Sequence, residues 1–355
     1  MDNLHPNFIR LEMALQHKEP DRIPFVEAGI SYDIMSKFLG KEVKSSDLAS
    51  QVEFWIKAGY DYIPLTVGML QPGKVTEDSA ISKVIKNNIT KEDKTEEAWN
   101  LEKRAFIFDE ADLERFPWEE AANIDYSKFY EVQKYLPDGM KIIALSGKVF
   151  TLSWLLMGYE NFCMNLILNP AFVKRLIDKV QEIQYAGIQK VITIPNVAAV
   201  WGVDDIAFGT GTMISPKDLR EYFFPWYKKV GKLCHDHGVY LFYHTDGLIW
   251  DVMDDLIDTG IDALHPIDPT CMDIEEVKKR VGDKLCIIGN ISNELLMNGS
   301  PEEIIELTKK RIKNLGPGGR YCMGSGNSVP DWAKIENYKD IIDTTLKYGT
   351  YPINI

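Results

Sequence analysis

The chain has 355 residues, 45% of them hydrophobic, enough for one large domain or two small ones and for a core that needs no disulfide or metal staples. Its 40 basic and 53 acidic residues give a net charge of −13, and no local basic patch offsets it, which argues against nucleic acid or an anionic membrane as a partner. The five cysteines, Cys163, Cys234, Cys271, Cys286 and Cys322, form no CxxC pair and read as reduced thiols of a cytoplasmic protein.

Met1 to Pro20 has neither a basic start nor a continuous apolar stretch, so no secretory signal is expected there. Farther on, Gly, Pro or charge interrupts every apolar run before the roughly 18 to 20 residues that would span a bilayer. Parallel strands buried on both faces read as short β-branched or aromatic runs without strict alternation. Eight such runs follow in order: Arg22 to Gly29, Tyr60 to Val67, Lys141 to Val149, Val197 to Asp205, Gly238 to Gly247, Asp262 to Asp268, Lys284 to Ser292 and Arg320 to Asn327.

Helical spacing fills the gaps between the later runs. Asn169 before Pro170 starts a helix with an apolar stripe of Val173, Leu176, Ile177, Val180 and Ile183. Ser215 before Pro216 starts another that is expected to end near Gly238, and Ser300, Pro301 and Glu303 make a capping box for a third, with Ile305, Thr308, Ile312 and Leu315 on its apolar face. Eight strands with helical crossovers predict a single α/β domain over 1–355, a (β/α)8 TIM barrel with an insertion between the second and third strands. That insertion, residues 68–140, is expected to pass over one barrel end, with Ile81 to Ile89 as a hairpin arm and a mixed-charge stretch from Lys86 to Arg104. An open doubly wound sheet is less well supported, since no GxGxxG follows an early strand.

A barrel of this kind carries its site at the C-terminal ends of the strands. Those ends present Glu27, Asp204 and Asp205, His244 and Asp246, His265 and Asp268, Asn290, and Ser325 with Asn327: a polar, acidic mouth. Each has an ordinary alternative, such as capping a turn or satisfying a buried backbone group. His244-Thr245-Asp246-Gly247 is the strongest signal, because an apolar strand that abruptly presents imidazole, carboxylate and glycine is poorly explained by packing. His244 and Asp246 lie on one side of the strand, suited to ligate a metal or to act as an acid/base couple, with Glu27 available to complete either arrangement; a buried ion pair is the competing reading. His235-Asp236-His237 falls at a helix end on the opposite face and reads as a solvated terminus.

Phe150-Thr151-Leu152 before a helix, Asp262-Ala263-Leu264-His265-Pro266, Met272-Asp273, Gly289-Asn290 and Gly316-Pro317-Gly318-Gly319 together resemble the uroporphyrinogen decarboxylase superfamily, from about Arg10 to Tyr348. The resemblance implies a (β/α)8 barrel and either porphyrinogen decarboxylation or corrinoid-linked methyl transfer. Its decarboxylase branch carries arginines after the first strand, whereas Val26 to Ser31 has none. Its thiol-methylating branch holds zinc through a His-x-Cys pair at the fifth strand and a cysteine after the eighth; here the matching stretches are His244-x-Asp246 and Ser325-Gly326-Asn327-Ser328. Carboxylates make a harder site than thiolates, which favours an oxygen- or nitrogen-linked methyl donor over a thiol.

The resemblance thus implies a corrinoid-dependent methyltransferase. It would demethylate a small donor, an aromatic methyl ether above all, and pass the methyl group to the cob(I)amide of a separate corrinoid protein. Glu27, His244 and Asp246 are the expected catalytic groups, and His244 with Asp246 the expected ligands of any zinc. Trp201, Asp205, Tyr243, His265, Asn290, Ser325 and Asn327 are expected around the substrate, with Trp201 and Tyr243 lining an aromatic pocket. Porphyrinogen decarboxylation and a non-catalytic ligand-binding barrel are the alternatives.

Overall fold

The computed structural model describes residues 4–69 and 106–355. Among the described residues seven parallel strands form one sheet: β1 (Tyr62–Thr66), β2 (Lys141–Ser146), β3 (Val197–Val203), β6 (Tyr240–His244), β7 (Ala263–His265), β8 (Cys286–Ile288) and β9 (Tyr321–Cys322), neighbours in that order. A two-stranded hairpin, β4 (Ala207–Phe208) with β5 (Gly211–Thr212), interrupts the path from β3 to β6. Sequential neighbours in a parallel sheet, joined by helices, are the winding of a barrel. The central strands are buried on both faces, which is why Ile142, Ile143 and Ala144 follow one another without alternation.

The first expected strand departs from this pattern. Arg22 to Gly29 forms no ladder of its own; Phe25 bridges in parallel to Met323, just past β9, with the Val26 N–H donating to the Met323 carbonyl at 2.8 Å. On its other side the Tyr62 hydroxyl of β1 accepts from the Glu27 N–H and donates to the Glu27 carbonyl, both at 2.7 Å. Both edges of the sheet therefore meet the same segment, and the fold is barrel-like, with a first stave of bridges in place of a strand. Pro24 offers no N–H to a ladder, and a tyrosine side chain occupies the place of the neighbouring backbone at Glu27. Three later strands are also shorter than their runs: β7 stops before Pro266, β8 before Gly289 and β9 before Met323.

The helices follow their caps. Pro170–Val191 starts at Asn169, whose side chain accepts from the Phe172 N–H, and buries the expected stripe. Pro301–Leu315 has the expected capping box, but Ile304 rather than Ile305 is the buried residue of its first turn, on one face with Thr308, Ile312 and Leu315. The helix expected from Pro216 is two, Pro216–Tyr222 and Phe224–Asp236. Pro225 explains the break, since its ring cannot join an unbroken i to i−4 ladder.

The insertion lies between β1 and β2. Its described part, from residue 106, packs the Phe106 and Ile107 N–H groups on the Leu156 carbonyl and then descends through short helices at Glu110–Arg115, Trp118–Ala121 and Ser127–Glu131. Gln133 donates to the Pro195 carbonyl before β3, and Gly139 accepts from the Phe8 N–H, so this part finishes at the N-terminal end of the sheet. The expected hairpin arm, Ile81 to Ile89, and the stretch from Lys86 to Arg104 lie outside the described residues. Among the described residues no helix is long and apolar enough to cross a membrane.

Candidate functional site

Strand register brings the site together. Val203, His244 and His265 are level across β3, β6 and β7, so Asp204 and Asp205, Asp246 and Pro266 all emerge at the same rim. Gly247 turns the chain there at φ +91°; a Cβ would lie 2.6 Å from the Ala207 backbone, so only glycine lets this end close against the hairpin.

Asp205, His244 and Asp246 each point one ligand atom into a common space, and these atoms lie within 4.8 Å of one another. His244 Nε2 is 3.5 Å from Asp205 Oδ1 and 4.0 Å from Asp246 Oδ1. Asp246 Oδ1 is buried without a hydrogen-bond partner, while its Oδ2 accepts from Asn327 Nδ2 at 2.5 Å. Burial, helped by the nearby charges of Asp205 and Asp268, outweighs His244 and Asn327 and pushes the Asp246 carboxyl up to about 6. Asp205 moves the other way: burial would raise it, but His244, the Asp246 N–H and the charge of Lys148 together hold it below the ordinary carboxylate range. One carboxyl thus titrates just below neutrality while its neighbour stays ionised.

Behind this group His244 Nδ1 lies 2.7 Å from His265 Nδ1. His265 is fully buried, edge-on to Trp201 at 5.1 Å, and burial with the His244 charge lowers its pKa well below the usual imidazole range. Glu27 stands apart from the Asp205–His244–Asp246 group. It is 2% exposed and accepts from the Ser325 N–H at 2.6 Å and the Ser325 hydroxyl at 2.7 Å; burial pushes its carboxyl up to about 8 against these two bonds. Ser325 and Asn327, two residues apart, link the Glu27 side of the rim to Asp246. Asn290 donates to the Ile267 carbonyl at 2.6 Å, and its Oδ1 is buried without a partner.

Two expected substrate contacts are placed differently. Tyr243 faces the helices, its ring 4.9 Å from Tyr227 and its hydroxyl donating to the Asp204 carbonyl, so it does not line the mouth. Side chains alternate along β6, and with His244 turned inward Tyr243 must turn outward. Trp201 does face inward, but at 0% exposure it sits beneath the histidines as floor. Asp204 is structural: its carboxylate accepts from the Phe150 and Thr151 N–H groups that start helix Val149–Met157 and from the Tyr227 hydroxyl. His235, as expected of a helix end, is exposed and pairs with Asp262. Sequence reasoning did not join Asp205 to the His244–Asp246 pair or see His265 behind His244. The paired strand-end acids and the two strand-end histidines were the available signals; their register was not.

The donor set of one imidazole and two carboxylates, with one oxygen unpartnered, fits a divalent ion such as zinc. No arginine contacts Glu27, Asp205, His244 or Asp246 among the described residues; Arg10 and Arg22 lie at the other end, on Asp21 and Asp61 and on the Gly59 carbonyl.

Comparison with known proteins agrees with this architecture. Residues 103–348 match the uroporphyrinogen decarboxylase (URO-D) family. A uroporphyrinogen decarboxylase of Pseudoalteromonas atlantica is 26% identical over 61% of this chain and 62% of its own length, and the methylcobamide:CoM methyltransferase MtaA of Methanosarcina barkeri is 23% identical over 54% and 56%. The chain thus spans under two thirds of the length of these relatives. Among solved structures, a methyltransferase from Methanosarcina mazei shares the fold at a TM-score of 0.65 and 15% identity, over 96% of this chain and 98% of that one. The extent of the family match, more than half the chain, and the barrel-like sheet lead to one conclusion: this chain belongs to the uroporphyrinogen decarboxylase (URO-D) family.

Proposed function

We propose that this chain is a methyltransferase that demethylates a small methyl ether, an aromatic one above all, and passes the methyl group to the cob(I)amide of a separate corrinoid protein. The observation that carries the reading is the Asp205–His244–Asp246 group, a set of hard donors at a strand-end mouth without arginine contacts among the described residues. A substrate bearing many carboxylates would meet like charge there. The methyltransferase relatives support the reading at the level of the fold and of partial sequence similarity.

An ether oxygen leaves poorly unless its developing charge is neutralised. Asp246, with its carboxyl raised to about 6 and one oxygen unpartnered, is suited to deliver a proton to that oxygen, and Asn327 holds the carboxyl in place. Asp205 stays ionised and orients His244 Nε2 toward the same point. A zinc ion held by His244, Asp205 and Asp246 would supply Lewis acidity at this position. The buried Glu27–Ser325 pair keeps the opposite rim uncharged near neutrality and so limits repulsion around the donor.

The test is conversion of cob(I)alamin to methylcobalamin, followed spectrally, with methoxyaromatics, methylamines and methyl thiols side by side. Turnover with methoxyaromatics is expected. Activity restricted to amines or thiols overturns the ether assignment, and carbon dioxide release from a porphyrinogen would establish the decarboxylase named among the relatives instead.

A further inference from the structure

We infer that Glu27 is a positioning residue: its carboxyl stands in for a missing ladder acceptor, holds a bulge after β9 and so aims Asn327 at Asp246. This role rests on the reading of Asp246 as a working group of the site, but not on which methyl donor is used.

The first stave and the segment after β9 are level at two parallel bridges, Phe25 with Met323 and Ile30 with Val329. Residues 26–29 of the stave therefore run beside residues 324–328, one residue more, and the surplus must bulge. At the first bridge the ladder is regular: the Met323 N–H donates to the Pro24 carbonyl at 2.9 Å and the Val26 N–H to the Met323 carbonyl at 2.8 Å. It resumes at the second, where the Val329 N–H donates to the Gly29 carbonyl and the Ser31 N–H to the Val329 carbonyl. Between them, an unbroken parallel ladder would send the Ser325 N–H to the Val26 carbonyl. It goes instead to Glu27 Oε1 at 2.6 Å, and the Ser325 hydroxyl meets Glu27 Oε2 at 2.7 Å. Gly324 makes room for this path, since a Cβ there would lie 2.2 Å from the Val26 carbonyl oxygen.

The other side of the bulge is fixed by the segment after β8: the Ile291 N–H donates to the Gly324 carbonyl and the Gly326 N–H to the Ile291 carbonyl. Asn327 follows directly, and its Nδ2 reaches Asp246 Oδ2. The bond from the Ser325 N–H needs only an acceptor, so it holds whether or not the carboxyl is ionised, and a glutamine can make it too. Without the Glu27 side chain that buried N–H has no acceptor, which favours another path for residues 324–328 and turns Asn327 away from Asp246.

The test is NMR of the Asn327 side-chain amide, assigned with Asn327→Ala, in protein without metal, methyl donor or corrinoid. In the parent a shifted signal that exchanges slowly with water is expected. Glu27→Gln should keep that signal. Glu27→Leu should lose it and weaken both zinc binding and the methyl-transfer rate by roughly 10- to 100-fold, as loss of an outer support does. Adding Asn327→Ala to Glu27→Leu should then cost nothing further, because both changes remove the same contact. A Glu27→Leu protein that keeps the Asn327 signal, or in which Asn327→Ala costs as much as in the parent, overturns the inference. Should Glu27→Leu not fold, Glu27→Asp, one methylene too short for both bonds, is read by the same criteria. A parent whose Asn327 amide exchanges like that of an exposed asparagine overturns the inference whatever the variants do. The amide signal and zinc binding are read without turnover, so failure of methyl transfer leaves this role standing, and loss of this role leaves the methyl-transfer reading standing.

Discussion

In the proposed reaction Asp246 is the residue on which the chemistry turns. Its unpartnered Oδ1 and raised carboxyl make Asp246→Asn a direct test: the asparagine can still accept from Asn327 but cannot deliver a proton. The methyl-transfer rate should fall by roughly 10²- to 10⁴-fold while KM for the donor changes little, because the lost interaction strengthens only as the oxygen leaves. A parallel rise in KM with an unchanged kcat would assign Asp246 to ground-state binding. Glu27 makes a different prediction, about stability. Burial raises its carboxyl from 4.5 to about 8, so between these values the native state holds a proton that the unfolded chain has released. Stability is then fully present below about 4.5, falls as pH rises through this window and levels off above about 8. Glu27→Gln, which can keep both Ser325 bonds without ionising, should gain on the order of 1–3 kcal/mol over the parent near pH 9 and almost nothing near pH 4.5, as read by denaturant unfolding at the two pH values.

At the scale of elements, the weakest seam is the one between the first stave and β1. No ladder joins them; the Tyr62 hydroxyl satisfies both backbone groups of Glu27. Tyr62→Phe leaves a buried N–H and a buried carbonyl without that partner and is expected to cost about 1–3 kcal/mol per unsatisfied group in global unfolding. It should also speed hydrogen exchange at the Glu27 amide ahead of the β2 and β3 amides. Equal protection of Glu27 in parent and variant would mean that another group takes over the bond. The helices were more legible than this seam, since their caps are local: Asn169, Ser215 and Ser300 each accept from the backbone N–H three residues on, within their own turn.

For the whole molecule, the convergence of β3 and β6 ends predicts a stoichiometric metal site. Purified protein should contain about one zinc per chain by elemental analysis, and His244→Ala should lose it while keeping its secondary structure. Metal-free protein with full methyl-transfer activity would refute the ligand role and leave proton delivery by Asp246 in place.

Sequence alone determined whatever depends on neighbours along the chain. The β-branched runs, the helix caps, the polar strand ends and the His244-Thr245-Asp246-Gly247 break are local patterns, and they suffice for a barrel-like class and for an acidic mouth. The tertiary structure decided what depends on register between distant segments. It set His244 level with His265 across 21 residues of chain, turned Asp205 into the His244–Asp246 group from 39 residues upstream of His244, and tied Glu27 to Ser325 across 298 residues. It also sent Tyr243 to the helix side, because one residue of alternation separates the barrel interior from its exterior. Composition and spacing carry no record of which strand end stands beside which; closing the sheet on itself supplies it.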